Sequence, residues 1–507
     1  MTLDPRIPIL VGVGQTVSHW DGADIADAPS PVSLAATASR AAIADAGAAD
    51  LAAAIDTVVM VRTVADSGGR VLGKSRCANP PGTLAARLGL SPRRVVYSGV
   101  GGNQPQGLVN EFAKAVFEGD AEVVLLAGAE AIAAQKLAAR RGVELDWSES
   151  AEGEMEDRGF GPQLLNAYEI TNGLGAPTQT YPAFENALRT RFGLDEEAHR
   201  HLMSEIWAPF SAVAAANPYS QFPVARDVEF LETMSPENYQ IADPYLKWHV
   251  AQDAVNQSAA VIVTTVGKAR ELGVDEAKWV YLYGHAQVAD VLTIERPDLS
   301  RSRAMDWVLQ RTLASSELTI GDMAYVDLYS CFPCAVLIAS EAVGLDWRTT
   351  TPTITGGLPF FGGPGNSYSM HAIATMVERL RANPGKYGLV LANGGFLSKE
   401  AGGVYSTTPP KAWAPVSSAD LQSAIDKAPK PNLLSETTTG TVLSYTVTYA
   451  KGAPQRAFII AENGKGRVLA RLRGGDTATL ETLMGDDPIG KTWDVTHEDG
   501  VNYIERV

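Results

Sequence analysis

One run of features occurs twice in this chain in the same order, first within residues 1–130 and again over about 279–400. Leu10-Val11-Gly12-Val13-Gly14-Gln15 is echoed by Leu282-Tyr283-Gly284-His285-Ala286-Gln287, each after an apolar run and before a polar loop. Both predict a strand and then a turn. A helix follows in each copy, SLAATASRAAIADAG from Ser33 and RAMDWVLQRTLASS from Arg303, with apolar residues at helical spacing. Then comes a strand apolar enough to be buried on both faces, over 54–61 and 322–329. Each copy continues into a glycine-rich loop with a Gly-Asn pair, Gly102-Asn103 in SGVGGNQPQG and Gly365-Asn366 in GGPGNSYSMH. The loops lead into amphipathic helices striped by Leu108, Val109, Phe112 and Val116 in one copy and Met370, Ile373, Val377 and Leu380 in the other. Gly119 and Gly385 are placed to end them. Buried strands over 123–129 and 389–395 close each unit.

Strands alternating with helices imply an α/β fold with a mostly parallel sheet covered on both faces, and two copies imply pseudo-twofold packing. The glycine loops should then meet near the axis. A loop that feeds a helix N-terminus aims backbone N–H groups at whatever lies before it, so the shared pocket is suited to an oxyanion.

The copies divide the chain into an N-terminal half, 1–250, and a C-terminal half, 251–406. Within the first half, residues 131–245 read as an inserted cap, helical and broken by Pro and Gly. Residues 407–432 are a Pro-rich linker. Over 433–507 the pattern becomes all-β, with hairpins expected at Lys451-Gly452, Asn463-Gly464 and Asp499-Gly500, which fits a small barrel.

With 507 residues, 45% of them apolar, the chain is long enough for two or three domains, and no apolar run reaches the ~18 residues of a membrane span. A net charge of −16 opposes a broad phosphate-backbone footprint, so nucleic acid is not an expected partner. The N-terminus MTLDPRIPILVGVGQ is unlike a secretory signal, and with three unevenly spaced cysteines the reading is cytoplasmic. His199 and His201 lack a nearby third ligand, so no metal site is expected. Lys136, Arg140 and Arg141 in QKLAARR form one cationic patch for an anionic ligand, and are equally readable as a solvated helix face. Neither glycine string makes a dinucleotide-binding fingerprint, and P-loop and serine-elbow motifs are missing.

The arrangement resembles the thiolase superfamily over about residues 5–406, most closely its type-one thiolase-like proteins, which are usually labelled acetyl-CoA acetyltransferases. The match lies in VGGNQPQGLVNEFAKAVFEGDAEVVLLAGAEA, DLYSCFPCAV, GGLPFFGGPGNSY and LVLANGGFLSKEAGGVYST. The resemblance implies two βαβαβαββ halves, a loop domain inserted in the first, and an OB-like C-terminal barrel. It also implies a coenzyme A thioester as substrate with no tightly bound cofactor, and a homodimer or, with the added domain, a monomer.

The chain departs from thiolases where their chemistry resides. The nucleophilic cysteine, which a helix N-terminus activates, corresponds to Asn103. The Gly-His-Pro motif corresponds to Gly362-Gly363-Pro364, and the second cysteine falls at Ala392 or Asn393. The oxyanion-hole donor position holds Tyr329, which can donate a hydrogen bond or, with a depressed pKa, carry a proton. Steroid side-chain aldolases of the superfamily also lack the cysteine and place tyrosines at the positions of Tyr329 and Tyr368. By that resemblance Asn103, Tyr329 and Asn393 would stabilise an enolate, Tyr368 or His371 would take a hydroxyl proton, and Ser258 and Ala259, in a loop at 256–260, would meet the pantetheine arm beside Arg140 and Arg141. The expected reaction makes or breaks a carbon–carbon bond next to the thioester. Acyl transfer through a relocated nucleophile such as Cys331, and a non-catalytic acyl-CoA binder, are the alternatives.

Overall fold

The structure is a computed structural model and describes residues 3–68 and 76–505. Its strands are β1 Pro8–Val17, β2 Thr57–Met60, β3 Arg94–Tyr97, β4 Val123–Ala131, β5 Glu156–Asp157, β6 Gln240–Ala242, β7 Tyr245–Leu246, β8 Asn256–Thr265, β9 Val280–Ala289, β10 Met323–Leu328, β11 Tyr387–Gly394 and β12 Lys399–Ser406. The C-terminal region adds β13 Thr438–Ala450, β14 Ala453–Asn463, β15 Gly466–Arg471, β16 Thr492–Glu498 and β17 Val501–Glu505.

The repeat is visible as two half-sheets, β3-β2-β4-β8-β1 and β9-β12-β11-β10, with β5 outside β3. They join where Ile9 pairs Tyr281 and Leu10 pairs Val280. The sheet is mixed rather than mostly parallel. Parallel pairing is confined to β2–β3, β2–β4, β3–β5 and β10–β11, and the middle is antiparallel. The β11–β12 pair is antiparallel because its connection, residues 395–398, is too short for a parallel crossover. Gly395 and Leu397 hold left-handed backbone there.

The helices Gln104–Glu118 and Tyr368–Ala382 pack against each other and against strands of both half-sheets, forming a central layer. Pro31–Ala46 and Arg303–Ser315 cover the outer faces. Ser30 and Ser33 cap the first of these reciprocally, with Pro31 in its first turn and Gly47 left-handed at its end. Gly119 ends its helix in the same way, as expected. Gly385 does not. The helix stops at Ala382 with Asn383 as cap, and Gly385 serves the next turn. The strand expected from Ala54 starts at Thr57, because Leu51–Ala54 is a short helix.

The C-terminal region is a closed five-stranded barrel, β13-β14-β15-β17-β16 and back to β13. Lys451-Gly452 and Asp499-Gly500 make two of its turns in left-handed backbone. At the third, Asn463 Oδ1 accepts from the Lys465 amide at 2.9 Å. The insertion is both cap and platform. Its helix Pro177–Phe192 lies along β13, with Ser444 Oγ donating to the Ala183 carbonyl at 2.6 Å, and its hairpin β6–β7 extends the barrel sheet. Phe458, Ile460 and Leu469 of the barrel belong to the same apolar cluster as Tyr329 and Phe332. The linker is also packed down. It forms the helix Ala419–Asp426, Gln422 bonds both the amide and the carbonyl of Ala289, and Trp413 stacks on His285. Among the described residues no helix is long and apolar enough to cross a membrane.

Candidate functional site

The two glycine loops meet, as the repeat requires. Asn366 ties them together: its Oδ1 accepts from the Gly101 amide at 3.0 Å and its Nδ2 donates to the Arg62 carbonyl at 2.8 Å. Ser369 Oγ donates to the Gly102 carbonyl at 3.2 Å. Gly102 is then hemmed in. A Cβ there would collide with the Tyr329 hydroxyl and the Asn393 carbonyl, and a Cβ on Gly394 would collide with Asn103 Oδ1. Asn103, Tyr329 and Asn393 are therefore gathered around one glycine, at the N-terminal end of the helix Gln104–Glu118.

Their surroundings fix what they can do. Asn103 is partly buried, its Oδ1 has no partner, and it walls a cleft of about 390 Å³ with Gln104, Glu111, Arg158, Lys399 and Glu400. Asn393 donates to the Tyr181 hydroxyl at 3.2 Å and to Cys331 Sγ at 3.8 Å, and its Oδ1 has no partner. Tyr329 is buried edge-to-face against Tyr368. Burial, and then the negative charge that Cys331, Tyr368 and Glu400 could carry, hold its phenol well above the ordinary value. Tyr329 is thus a neutral donor, and the reading of it as a low-pKa proton carrier falls.

Tyr368 and His371 do not present a common face to a substrate. Their helix is the central layer and is buried on all sides from Tyr368 to Val377. The Tyr368 hydroxyl is engaged by Thr355 and by Asp327, 3.4 Å away. His371 Nδ1 sits 2.8 Å from Gln15 Oε1 on β1, and burial lowers its pKa to about 3.

Ser258 and Ala259 lie in a strand, not a loop. The run from Asn256 is β8, paired on both sides by β1 and β4, and both residues are wholly buried, with Ser258 Oγ donating to the Gly128 carbonyl. The loop ends one residue earlier, at 255. There the Ala251 amide donates to the Cys331 carbonyl at 3.0 Å, and the Gly363 amide donates to the Gln252 carbonyl at 2.8 Å. Arg140 and Arg141 are exposed, and Arg141 donates to the Asp21 and Gly22 carbonyls. Lys136 of the same helix pairs with Asp253, which sets that lysine beside the loop, with Arg140 and Arg141 about one turn further along.

Cys331 and Cys334 are buried free thiols, and burial pushes Cys331 up to about 12. Two residues that sequence reasoning passed over stand at the start of β12. Lys399 Nζ donates to the Val100 carbonyl at 3.1 Å and the Pro162 carbonyl at 2.9 Å, and burial lowers its pKa to about 8. Glu400 is fully buried, and neither carboxyl oxygen has a partner. The available signal was the charged pair Lys-Glu inside an otherwise apolar and glycine-rich strand, LVLANGGFLSKEAGGVYS.

Residues 420–500 match the family model described as the thiolase-like protein type 1 additional C-terminal domain. Over its full length the chain is 37% identical to a monomeric SCP2-thiolase-like protein type 1 from Mycobacterium smegmatis, covering 100% of both chains with a TM-score of 0.84. The chain belongs to the SCP2-thiolase-like protein type 1 family. More distant members of the fold are also similar to this thiolase-like chain. They include an Ltp2-ChsH2(DUF35) aldolase at 22% identity, which covers 80% of this chain and 98% of its own with a TM-score of 0.57. An acetyl-CoA acetyltransferase from Syntrophomonas wolfei has 15% identity, 80% and 100% coverage, and a TM-score of 0.57. No curated protein sequence matches the chain.

Proposed function

We propose that this thiolase-like chain binds an acyl-CoA and makes or breaks the carbon–carbon bond beside the thioester without an acyl-enzyme. The observation that carries this reading is the Tyr329 hydroxyl against Gly102, with Asn103 beside it at the helix N-terminus and Asn393 at the facing strand end. Asn103 stands where the resemblance expects the nucleophilic cysteine, the second cysteine falls at Ala392 or Asn393, and the Tyr329 hydroxyl touches the same glycine. Such a site offers hydrogen bonds to a developing enolate oxygen and no nucleophile to acylate. Cys331 is a poor substitute, since burial keeps its thiol protonated. Lys399, on the cleft wall with a pKa lowered to about 8, is better suited to accept a hydroxyl proton than Tyr368 or His371. The loop 250–255, with Lys136 beside it and Arg140 and Arg141 about one turn further along, is the surface we assign to the pantetheine arm and the anionic end of CoA.

The test is turnover of a panel of β-hydroxyacyl- and β-ketoacyl-CoAs by mass spectrometry, with Asn103→Ala and Tyr329→Phe alongside. Release of a shorter acyl-CoA and a carbonyl compound from a β-hydroxyacyl-CoA, depressed in both variants, is the expected result. Turnover that both variants retain overturns the assignment. One observation favours a second reading, a non-catalytic acyl-CoA binder: Tyr329, Tyr368 and Asn393 are buried so tightly that the thioester must displace side chains to reach them. CoA binding without turnover of any panel member decides for the binder.

A further inference from the structure

Glu400 is a buried ionisable group on the cleft wall that the reading above leaves unused. It is fully buried in β12, and its Cα partners are Asn393 on β11 and Val288 on β9. Both of its oxygens lack a hydrogen-bond partner, whereas buried carboxyls in folded proteins are ordinarily paired or bonded. Asp290 and Arg296 are the charged groups that act on it, and Arg296 makes no ion pair with it within 4 Å while its own Nε and Nη1 are unpartnered. The Arg296 guanidinium is occupied instead by the Phe396 and Leu397 carbonyls. Glu400 lies close enough to Tyr329 and Cys331 for its charge to act on both, and it shares the cleft wall with Asn103 and Lys399. An unpaired carboxyl costs stability wherever it is buried, and this one is held beside every group assigned to the enolate.

We propose that Glu400 is the proton donor of this site, a neutral carboxylic acid that protonates the carbon of the thioester enolate. Full burial with neither oxygen partnered disfavours the charged carboxylate and raises its pKa well above the ordinary value, which favours the protonated acid. In the cleavage direction the base takes the proton from the β-hydroxyl, the bond between the α and β carbons breaks, and its electron pair moves into the thioester as an enolate. A carbonyl compound forms from the β carbon. Glu400 then gives its proton to the α carbon, and its carboxylate recovers the proton first taken from the hydroxyl. Atoms and charge balance with no further reactant. In reverse Glu400 first passes its proton to the base, and its carboxylate then removes an α proton to form the enolate.

This inference rests on the enolate reading, and hydrogen exchange separates the two. Acetyl-CoA and a longer acyl-CoA are incubated with the full chain in D2O, and deuterium at the α carbon is followed by mass spectrometry. Wild type is expected to exchange, and Glu400→Gln to lose about 10²-fold or more of that rate, the range in which a positioned acid or base acts. Glu400→Asp should recover part of it. Glutamine is a neutral isostere of the protonated acid, so Glu400→Gln should melt no lower than wild type. Exchange that Glu400→Gln retains in full overturns the role of Glu400 and leaves the enolate reading intact. No exchange by wild type that nonetheless binds the acyl-CoA overturns both. An infrared difference spectrum of the two proteins, with no ligand needed, should show a protonated carboxyl band in wild type alone. Its absence from wild type also overturns the inference.

Discussion

The hydroxyl of Tyr329 occupies the space in which a side chain on Gly102 would begin. Residue 102 is glycine for that reason, and the pair couples a loop of the first half to a strand end of the second. Tyr329→Phe keeps the ring and removes the donor. In an assay of acyl-CoA turnover it should cost about 10²-fold, as loss of one oxyanion donor does elsewhere. Gly102→Ala should cost a similar factor by displacing the phenol, with the circular dichroism of both variants unchanged. Turnover by Gly102→Ala equal to wild type would show that the contact does not position the donor.

The thiols give a second prediction. Cys331 and Cys334 are buried, while Cys77 is partly exposed. Burial places Cys331 at about 12, so its thiolate is scarce at any pH the protein tolerates. Titration of native protein with a thiol reagent should label Cys77 and reach Cys331 and Cys334 only after unfolding. Cys331→Ala should keep acyl-CoA turnover. Activity lost in step with labelling of Cys331, and protected by substrate, would restore the acyl-transfer mechanism.

The fold was legible because periodicity and glycine placement are local properties of sequence. The strands through Leu10 and Leu282, the paired Gly-Asn loops and the hairpins at Lys451-Gly452 and Asp499-Gly500 stand where the pattern puts them, whereas the turns expected at Gly12–Gln15 and Gly284–Gln287 are unbroken strand. Direction of pairing was not legible, because it depends on which strands meet across the half-sheets. The site divides in the same way. Asn103, Tyr329 and Asn393 come together because their loops are fixed by the repeat. The orientation of Tyr368 and His371 depends instead on partners distant in sequence, Asp327 and Gln15. Ser258 and Ala259 were misplaced by a boundary error of a few residues, which in a strand exchanges loop for core. The Lys-Glu pair within an apolar strand marks Glu400 as unusual, but that its carboxyl lacks a partner depends on residues distant in sequence.

Glu130 provides a test of the loop scaffold by pH. It is the penultimate residue of β4, accepts from the Val64 amide at 2.7 Å, and lies against Gly365, where any Cβ would strike its carboxyl. Burial raises its pKa from 4.5 to about 8. A raised folded-state value means that the folded chain holds the proton more tightly than the unfolded one. The stability contributed is therefore complete below about 4.5, declines as pH rises, and is lost once pH passes about 8. Glu130→Gln removes that dependence while keeping the acceptor for Val64. Its melting temperature relative to wild type should climb between pH 5 and pH 8. A difference independent of pH would show that Glu130 is ionised throughout that range.

The outer edge of the first half-sheet predicts the assembly state. β3 would expose a row of unpaired amides and carbonyls, the usual template for strand addition by a second copy. Here β5 pairs with it through Val96–Glu156 and Tyr97–Asp157. Ion pairs fasten β5 in place, Arg94 to Glu156, Arg158 to Glu111 and Glu156, and Arg62 to Asp157. A chain with that edge occupied should run as a single copy of 53.8 kDa in light scattering at micromolar concentration. Reversing the charges with Glu111→Arg and Glu156→Arg leaves Arg94 and Arg158 facing like charges, which should release β5 and uncover β3. The double variant should then show a concentration-dependent rise in mass. A wild-type dimer would mean that the chain associates through another face or that β5 gives way to a partner.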